Sequence, residues 1–232
     1  MDFVDLSHVY DENILASSTN PACSCCPVIT FAEDGVSAIS FSMRFHLGTH
    51  LDAPYQVPSG ASRPANSLPL STFTGPAIVV NVTNKQPRTR IMWHDISSYE
   101  TKFTEGAKHG AIVLICTGWS NYWSTHKYFD HPFLDGEAAQ RILDTGIKVI
   151  GIDTLSPDET FQAEGGGARP EAWNRDFGVH RAVLGSGRVI VENLTSLESL
   201  QDGDWSVTIV PFKPKENDGS PVRAFAFRKG QS

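Results

Sequence analysis

The amino-acid sequence predicts an α/β fold, and two kinds of observation support this class. Short runs rich in β-branched residues are typical of buried strands, and a segment between them has the start and stop signals of a helix. That helix leads directly into a strand, which indicates α/β layers rather than an all-β sandwich. The length of 232 residues fits one large domain at least as well as two small ones, so we expect a single domain over residues 1–232.

The predicted strands are six runs of mostly aliphatic residues with few charges. Most of them have the continuous apolar character of strands that are buried on both faces. They lie at residues 77–82, 111–116, 148–152, 188–191, 206–212 and 223–227.

The clearest helix is predicted over residues 135–146. Asp135 is a favourable N-cap, Gly146 is a typical terminating glycine, and good helix formers lie between them. The strand at 148–152 follows at once. Helices are also expected at residues 93–105 and around residues 175–184.

Composition and charge restrict the partners of the protein. The chain is 40% hydrophobic and 19% charged, as is usual for chains that fold by themselves, and its net charge of -7 gives no basic surface for nucleic acid or an anionic membrane. Asp2 and Asp5 lie where a secretory signal needs basic residues, and no segment approaches the ~18 continuous apolar residues of a membrane span. We therefore expect a cytoplasmic protein that binds a small molecule.

Three of the four cysteines are crowded together at Cys23, Cys25 and Cys26. A second pair of cysteines or histidines at zinc-finger spacing is missing, which argues against a thiolate metal site. We interpret the segment as a loop that contains thiols, with a cysteine metal site as the alternative.

The segment from residue 39 onward alternates between apolar and polar residues, as in a half-buried strand. The apolar positions are Ile39, Phe41, Met43, Phe45 and Leu47. If the extended conformation continues, then His46, His50, Asp52 and Gln56 all lie on the polar side, because side chains alternate with a period of two. A helix would also bring His46 and His50 together, but Gly48 and Pro54 oppose it.

Two imidazoles and a carboxylate form a ligand set for zinc or another first-row divalent metal ion. Such a set leaves coordination positions open for water or substrate, which indicates catalysis. The alternative from this segment alone is a polar strand face with two solvated histidines.

The pattern His-x-Gly-Thr-His-x-Asp-x-Pro, from His46 to Pro54, resembles the signature of the cyclase family, which includes bacterial kynurenine formamidases and isatin hydrolase. Further segments resemble family blocks in the same order, so that the resemblance covers nearly the whole chain. These segments are residues 5–8, 117–119, 151–156, 179–181, 191–194 and 218–223.

The resemblance implies a swivelling β/β/α domain with a mixed sheet flanked by helices, and an assembly of two or more identical chains. It also implies one or two divalent metal ions, zinc or manganese, with Asp52 as the bridging ligand if two are bound. The family ligands match His46, His50, Asp52, His180 and Glu192. By itself His180 would be taken for a core residue, whereas Glu192 ends an apolar strand, where α/β folds place their ligands.

Gln56 departs from the family pattern. Family hydrolases usually have histidine at this position, and that histidine resembles a general base. Glutamine cannot take up a proton near neutral pH, so Glu192 or His180 would have to transfer protons instead.

Three functions are compatible with these residues. The first is a hydrolase that attacks the carbonyl of a small cyclic or aryl amide, lactam or ester through a metal-bound hydroxide, with Gln56 as a hydrogen-bond donor to the oxyanion. The alternative is a cyclase or lyase of secondary metabolism that uses the metal as a Lewis acid. The third is a metal-free binding or scaffold protein.

Two further residues are expected to contact the substrate. Trp119 follows the strand at 111–116 and is a suitable wall for a planar substrate, although a buried core tryptophan is an equal alternative. Ser156 follows the strand at 148–152, where we expect it to orient the site or to shape the turn.

Overall fold

The structure is a computed structural model, described over residues 1–10, 23–59, 63–160, 178–201 and 203–228. Its strands are β1 (Asp2–Asp5), β2 (Cys23–Ile29), β3 (Ala38–Met43), β4 (His50–Asp52), β5 (Thr74–Asn81), β6 (Arg90–Ile91), β7 (Ile112–Cys116), β8 (Phe133–Leu134), β9 (Val149–Ile152), β10 (Val189–Glu192), β11 (Ser206–Pro211) and β12 (Gly219–Arg228). The α-helices are α1 (Phe31–Asp34), α2 (Trp93–Ile96), α3 (Glu100–Ala107), α4 (Gly136–Asp144) and α5 (Gly178–Gly185). Short 3-10 helices include Pro54–Gln56, Ser97–Tyr99 and Trp119–Tyr122.

The predicted α/β class with a mixed sheet is confirmed. The six predicted strands correspond to β5, β7, β9, β10, β11 and β12, with ends that shift by a few residues. Strands β5, β7, β9 and β10 are parallel, while β4, β11 and β12 join the sheet in antiparallel pairs.

The sheet is closed by the short strand β4. In order, β12, β11, β5, β7, β9, β10 and β4 are hydrogen-bonded neighbours, and β4 pairs again with β12. One hydrophobic core fills the inside of this closed sheet, with Leu51 and Val191 among its members. A second core lies between the sheet and the helices and includes Ile190 and Val183. Two buried faces explain why the parallel strands are apolar throughout.

Helix α4 confirms the sequence prediction at residues 135–146. The Asp135 carboxylate accepts hydrogen bonds from the backbone N–H groups of Glu137 and Ala138, and the helix ends at Asp144. Gly146 then adopts a φ of 100°, which favours glycine. The chain returns at once into β9.

The other two helix predictions agree with the structure only in part. The helix expected at 93–105 is divided into α2 and α3 by the 3-10 turn at Ser97–Tyr99. The helix expected from residue 175 is seen as α5 from Gly178 onward, and residues 175–177 lie outside the described residues.

The prediction of one continuous strand from residue 39 through the metal motif is wrong. Strand β3 ends at Met43, the chain bends, and an extended conformation resumes only at His50. The apolar face is also not buried within the chain: Ile39 is 65% exposed and Phe41 is 46% exposed. The reason is that β3 pairs with β2 in a hairpin of two strands, whereas β4 belongs to the closed sheet.

The cysteine segment is a strand and not a loop. Cys25 and Cys26 lie next to each other in β2, are exposed, and form no disulfide. Adjacent residues of a strand point to opposite faces, so these two thiols do not converge on one metal ion.

Among the described residues, no helix has the length and the apolar character needed to cross a membrane.

Candidate metal centre

Strand β4 carries two of the predicted ligands on one face. His50 and Asp52 are two residues apart, and β4 lies between β10 and β12. Glu192 pairs directly with His50 in the antiparallel register, which brings Glu192 Oε2 to 3.3 Å from His50 Nε2. Ile190, two residues before Glu192, belongs to the core beneath the helices. The ligands therefore lie on the helix side of the sheet.

His46 reaches the same place from the bend before β4. Its Nδ1 lies 2.6 Å from Asp52 Oδ1, and its Nε2 lies 3.2 Å from Asp218 Oδ1. Gly48 makes the bend possible, since its φ of 59° is a left-handed conformation. The three residues of the motif thus converge as predicted, but through a bend and not through strand alternation.

Helix α5 supplies the histidine that the first motif lacks. His180 Nε2 lies 3.5 Å from Asp52 Oδ2 and 3.5 Å from Glu192 Oε1. His180 is buried, because α5 packs against β10. The structure therefore brings all five predicted ligands together.

The five side chains form two groups that share Asp52. His46, His50 and Asp52 make one group, and Asp52, His180 and Glu192 make the other, with ligand atoms within 4.8 Å of one another in each. Asp52 Oδ2 and Glu192 Oε1 are buried and have no hydrogen-bond partner among the described residues. Buried carboxylate oxygens normally have a partner, and a divalent cation would satisfy both of them. The residues therefore fit a divalent metal ion.

The electrostatics agree with a cation site. Burial raises the pKa of Glu192 to about 7, and the charge of Asp52 acts in the same direction. Burial lowers the pKa of His46, but Asp52 and Asp218 outweigh it and bring the value to about 9. The pKa of Asp52 is held well below its usual range despite burial, because histidines surround it. Without a metal ion, protons neutralise this site, and a cation would replace them.

In His50 and His180, a hydrogen bond at Nδ1 determines that Nε2 is the ring nitrogen that faces the carboxylates. His50 Nδ1 donates to the backbone oxygen of Gly48 at 2.8 Å, and His180 Nδ1 lies 2.6 Å from Asp158 Oδ2. In both histidines Nε2 is then the nitrogen available to a metal. Sequence analysis did not single out Asp158, although it follows a block that resembles the family.

Tyr10 and Thr49 hold the bend before β4 in place, and the sequence analysis assigned a role to neither of them. The Tyr10 hydroxyl donates to the backbone oxygen of Thr49 at 2.6 Å and also reaches that of Leu47, while its ring packs against Gly48. The Thr49 hydroxyl donates to the backbone oxygen of Asn193, directly after Glu192. Strands β4 and β10 are therefore connected beside the ligands.

The remaining predicted site residues lie near the ends of the sheet. Gln56 is exposed in the 3-10 helix Pro54–Gln56, so it does not continue an extended register from Asp52. Trp119 is 5% exposed, and its indole N–H donates to the backbone oxygen of Lys127. The Ser156 hydroxyl accepts from the backbone N–H of Asp158. The substrate and catalytic roles of these three residues stay predictions.

A third group of possible ligands consists of Cys116, Asp153 and Glu198. The Asp153 oxygens already accept hydrogen bonds from the N–H groups of Thr117 and Gly118 and from the Thr117 hydroxyl. Burial raises the pKa of the Cys116 thiol to about 12, which opposes the thiolate that metals prefer. Asp153 therefore stabilises the turn after β7, and the group does not form a second metal centre.

Comparison with known proteins identifies the family. The model named Cyclase, described as "Putative cyclase", matches residues 4–159. The chain belongs to the cyclase family. A kynurenine formamidase from Delftia acidovorans is 30% identical over 202 residues, which are 86% of this chain and 80% of that protein. A kynurenine formamidase from Geobacillus thermodenitrificans is 28% identical over 98% of this chain and 97% of its own length.

A solved structure confirms that the fold is that of the family. Isatin hydrolase A from Labrenzia aggregata, solved with benzyl benzoate, superimposes with a TM-score of 0.80 at 22% identity. The match covers 97% of this chain and 93% of that chain. The predictions of a cyclase-family enzyme and of its fold class are both confirmed.

Proposed function

We propose that the protein is a metal-dependent hydrolase that acts on the carbonyl of a small cyclic or aryl amide, lactam or ester. The observation that carries the proposal is the convergence of the five predicted ligands in two groups that share Asp52. The relatives support hydrolysis, because they are named as kynurenine formamidases and as an isatin hydrolase.

The division between buried and exposed ligands indicates how a substrate reaches the centre. His50, Asp52, His180 and Glu192 are buried, whereas His46 has a side chain that is 31% exposed. A substrate therefore approaches from the side of His46. In this proposal Gln56, which is exposed shortly after Asp52, donates a hydrogen bond to the carbonyl oxygen of the substrate.

A bound zinc or manganese ion would polarise the carbonyl and lower the pKa of water at the site. The protein itself holds the predicted ligands in place, excludes bulk water from the four buried ones, and provides Glu192 or His180 for proton transfer. A glutamine at position 56 does not transfer protons, so this role falls to the buried side chains.

The test combines metal analysis with hydrolysis. Protein freed of metal with a chelator is assayed with zinc or manganese on an N-formyl aniline, isatin and a phenyl ester. We expect metal-dependent hydrolysis of at least one of them, and its loss in His50→Ala and Asp52→Ala. The control is His94→Ala, because His94 has a side chain that is 79% exposed on α2.

Two results would overturn the proposal. Full activity in His50→Ala or Asp52→Ala without bound metal would refute the site. A wild-type protein that neither retains nor is stabilised by metal would favour a scaffold without catalytic function.

Gln56 favours a second candidate function, a cyclase or lyase reaction that needs no hydrolytic base at this position. The two are separated by Gln56→His, since a general base typically contributes about 10² to 10⁴-fold. If hydrolysis is the native reaction, histidine raises its rate. If ring closure or elimination is native, histidine introduces hydrolysis as a side reaction, and an unchanged product pattern removes Gln56 from the mechanism.

We also propose that the chain forms a homodimer or a larger homo-oligomer through the β2–β3 hairpin. Ile39 and Phe41 are exposed on β3, and Phe31 in the connecting helix α1 is 74% exposed. Ile39 and Phe41 are two residues apart and so lie on the same face of β3, and exposed apolar faces are typical of interfaces. Light scattering should show an oligomer that Ile39→Ser with Phe41→Ser weakens, and a wild-type monomer would contradict the proposal.

A further inference from the structure

Asp158 is a buried carboxylate that contacts both the ring of His180 and the backbone of the helix that carries this histidine. It lies six residues after the end of β9, and its carboxylate is buried at 5% exposure. Oδ2 is 2.6 Å from the Nδ1 of His180, and the same carboxylate accepts the backbone N–H groups of Val179 at 2.9 Å and His180 at 3.1 Å. One side chain therefore contacts both the ring of a ligand and the first turn of its helix.

The contact to the ring has a chemical consequence. Nδ1 donates a hydrogen bond to a carboxylate, so Nε2 is the ring nitrogen that faces Asp52 and Glu192, both 3.5 Å away. A carboxylate partner makes an imidazole more basic and holds its orientation. At the corresponding nitrogen, His50 Nδ1 has the neutral backbone oxygen of Gly48 as its partner. Unlike His50, His180 is therefore a ligand whose strength depends on a charged residue outside the ligand set.

The contact to the helix has a geometric consequence. Helix α5 starts at Gly178, and the two N–H groups that Asp158 binds belong to its first turn. The backbone N–H of Asp158 is itself held by the Ser156 hydroxyl at 3.3 Å, and the Ser156 carbonyl oxygen accepts from the Thr154 hydroxyl. The turn after β9 is therefore joined to the first turn of α5, which carries His180 toward the strand ligands.

We propose that Asp158 is the positioning residue of the metal centre, where it fixes both the ring of His180 and the start of the helix that carries it. This inference rests on the metal centre of the proposed function. The alternative is that Asp158 only caps the helix. Asp135 provides the matched control, since it caps α4 through two backbone N–H groups but has no contact with a ligand.

Zinc affinity distinguishes the two roles. Asparagine and serine both retain an acceptor for helix N–H groups, but neither provides a charged partner for His180. We expect Asp158→Asn and Asp158→Ser to weaken zinc binding by about 10 to 100-fold in competition with a chromophoric chelator. Asp135→Asn should bind zinc as the wild type does. The fold of each variant is checked by circular dichroism, and two substitutions at residue 158 guard against one that does not fold.

Two further readouts report on the ring contact itself. In the His180→Ala background, Asp158→Asn should cause no additional loss of zinc affinity, because coupled residues are not additive. The ring N–H of His180 should also give a downfield proton resonance that is present in Asp135→Asn and absent in Asp158→Ser.

The outcomes separate this inference from the proposed function. Wild-type zinc affinity in both Asp158 variants would overturn the positioning role and leave the hydrolase proposal standing. Zinc binding that depends on Asp158 without any hydrolysis would support the role and contradict the hydrolase. A wild-type protein that binds no zinc would overturn both.

Discussion

Gly219→Ala should damage the metal centre although the residue carries no ligand. Gly219 pairs with Asp52 across β12 and β4. A methyl group at Gly219 would lie 2.8 Å from the backbone oxygen of Leu51 and 2.9 Å from His46 Nδ1, whereas ordinary contacts begin at 3.4 Å. Both distances are too short for a methyl group, so the His46 ring and the backbone of β4 or β12 both have to shift.

The larger movement is expected at His46. The Leu51 oxygen belongs to β4, which is held by β10 on one side and β12 on the other, while the His46 side chain is partly exposed. Rotation of the ring breaks its 2.6 Å contact with Asp52. We expect a loss of about 1–3 kcal/mol in the free energy of unfolding, as is typical of overpacking. Zinc affinity should fall by at least the ~10-fold that is typical of changes around metal ligands.

Urea unfolding of metal-free protein and zinc competition measure these two effects separately. Gly136→Ala is the control, because its added methyl group meets Gly178 at an ordinary 3.4 Å. Gly219→Ala protein that binds zinc as tightly as the wild type would refute the argument that Gly219 leaves room for His46.

Two other predictions concern the bend and the charge of the site. Tyr10→Phe keeps the ring against Gly48 but removes the hydroxyl that contacts the backbone of Leu47 and Thr49. We therefore expect a free energy of unfolding in urea that is lower by about 1 kcal/mol, together with weaker zinc binding. Unchanged values would show that the hydroxyl does not hold the bend. Metal-free protein should lose stability as the pH rises. Folding raises the pKa of Glu192 from 4.5 to about 7 and that of His46 from 6.5 to about 9. Both shifts stabilise the folded state when the groups are protonated. Each contribution to stability is therefore complete below the pKa of the unfolded chain and lost above the pKa of the folded protein. Burial lowers the pKa of His8 and His131 to about 4, so these two histidines oppose the trend only below about pH 6.5. Thermal unfolding in chelator between about pH 7 and pH 9 therefore checks the prediction, and higher stability at the alkaline end would contradict it.

The sequence by itself determined those features that depend on local patterns. Parallel strands buried on both faces must be apolar along their length, so β7 and β9 were predictable from short runs of residues. Helix α4 was predictable because its N-cap and its terminating glycine lie within the segment itself. The spacing of His46, His50 and Asp52 indicated a metal site, and family resemblance added His180 and Glu192.

The tertiary structure decided how these residues meet. The alternation from Ile39 is real, but which surface covers an apolar strand face depends on its partner, and β3 pairs with β2 outside the closed sheet. Asp158 acts on His180 across 22 residues of sequence, and Gly219 leaves space for a ring that arrives from position 46. Such contacts join segments that are distant in the sequence, so no local pattern predicts them. The five predicted ligands could therefore be named from the sequence, whereas the residues that hold them in place required the fold.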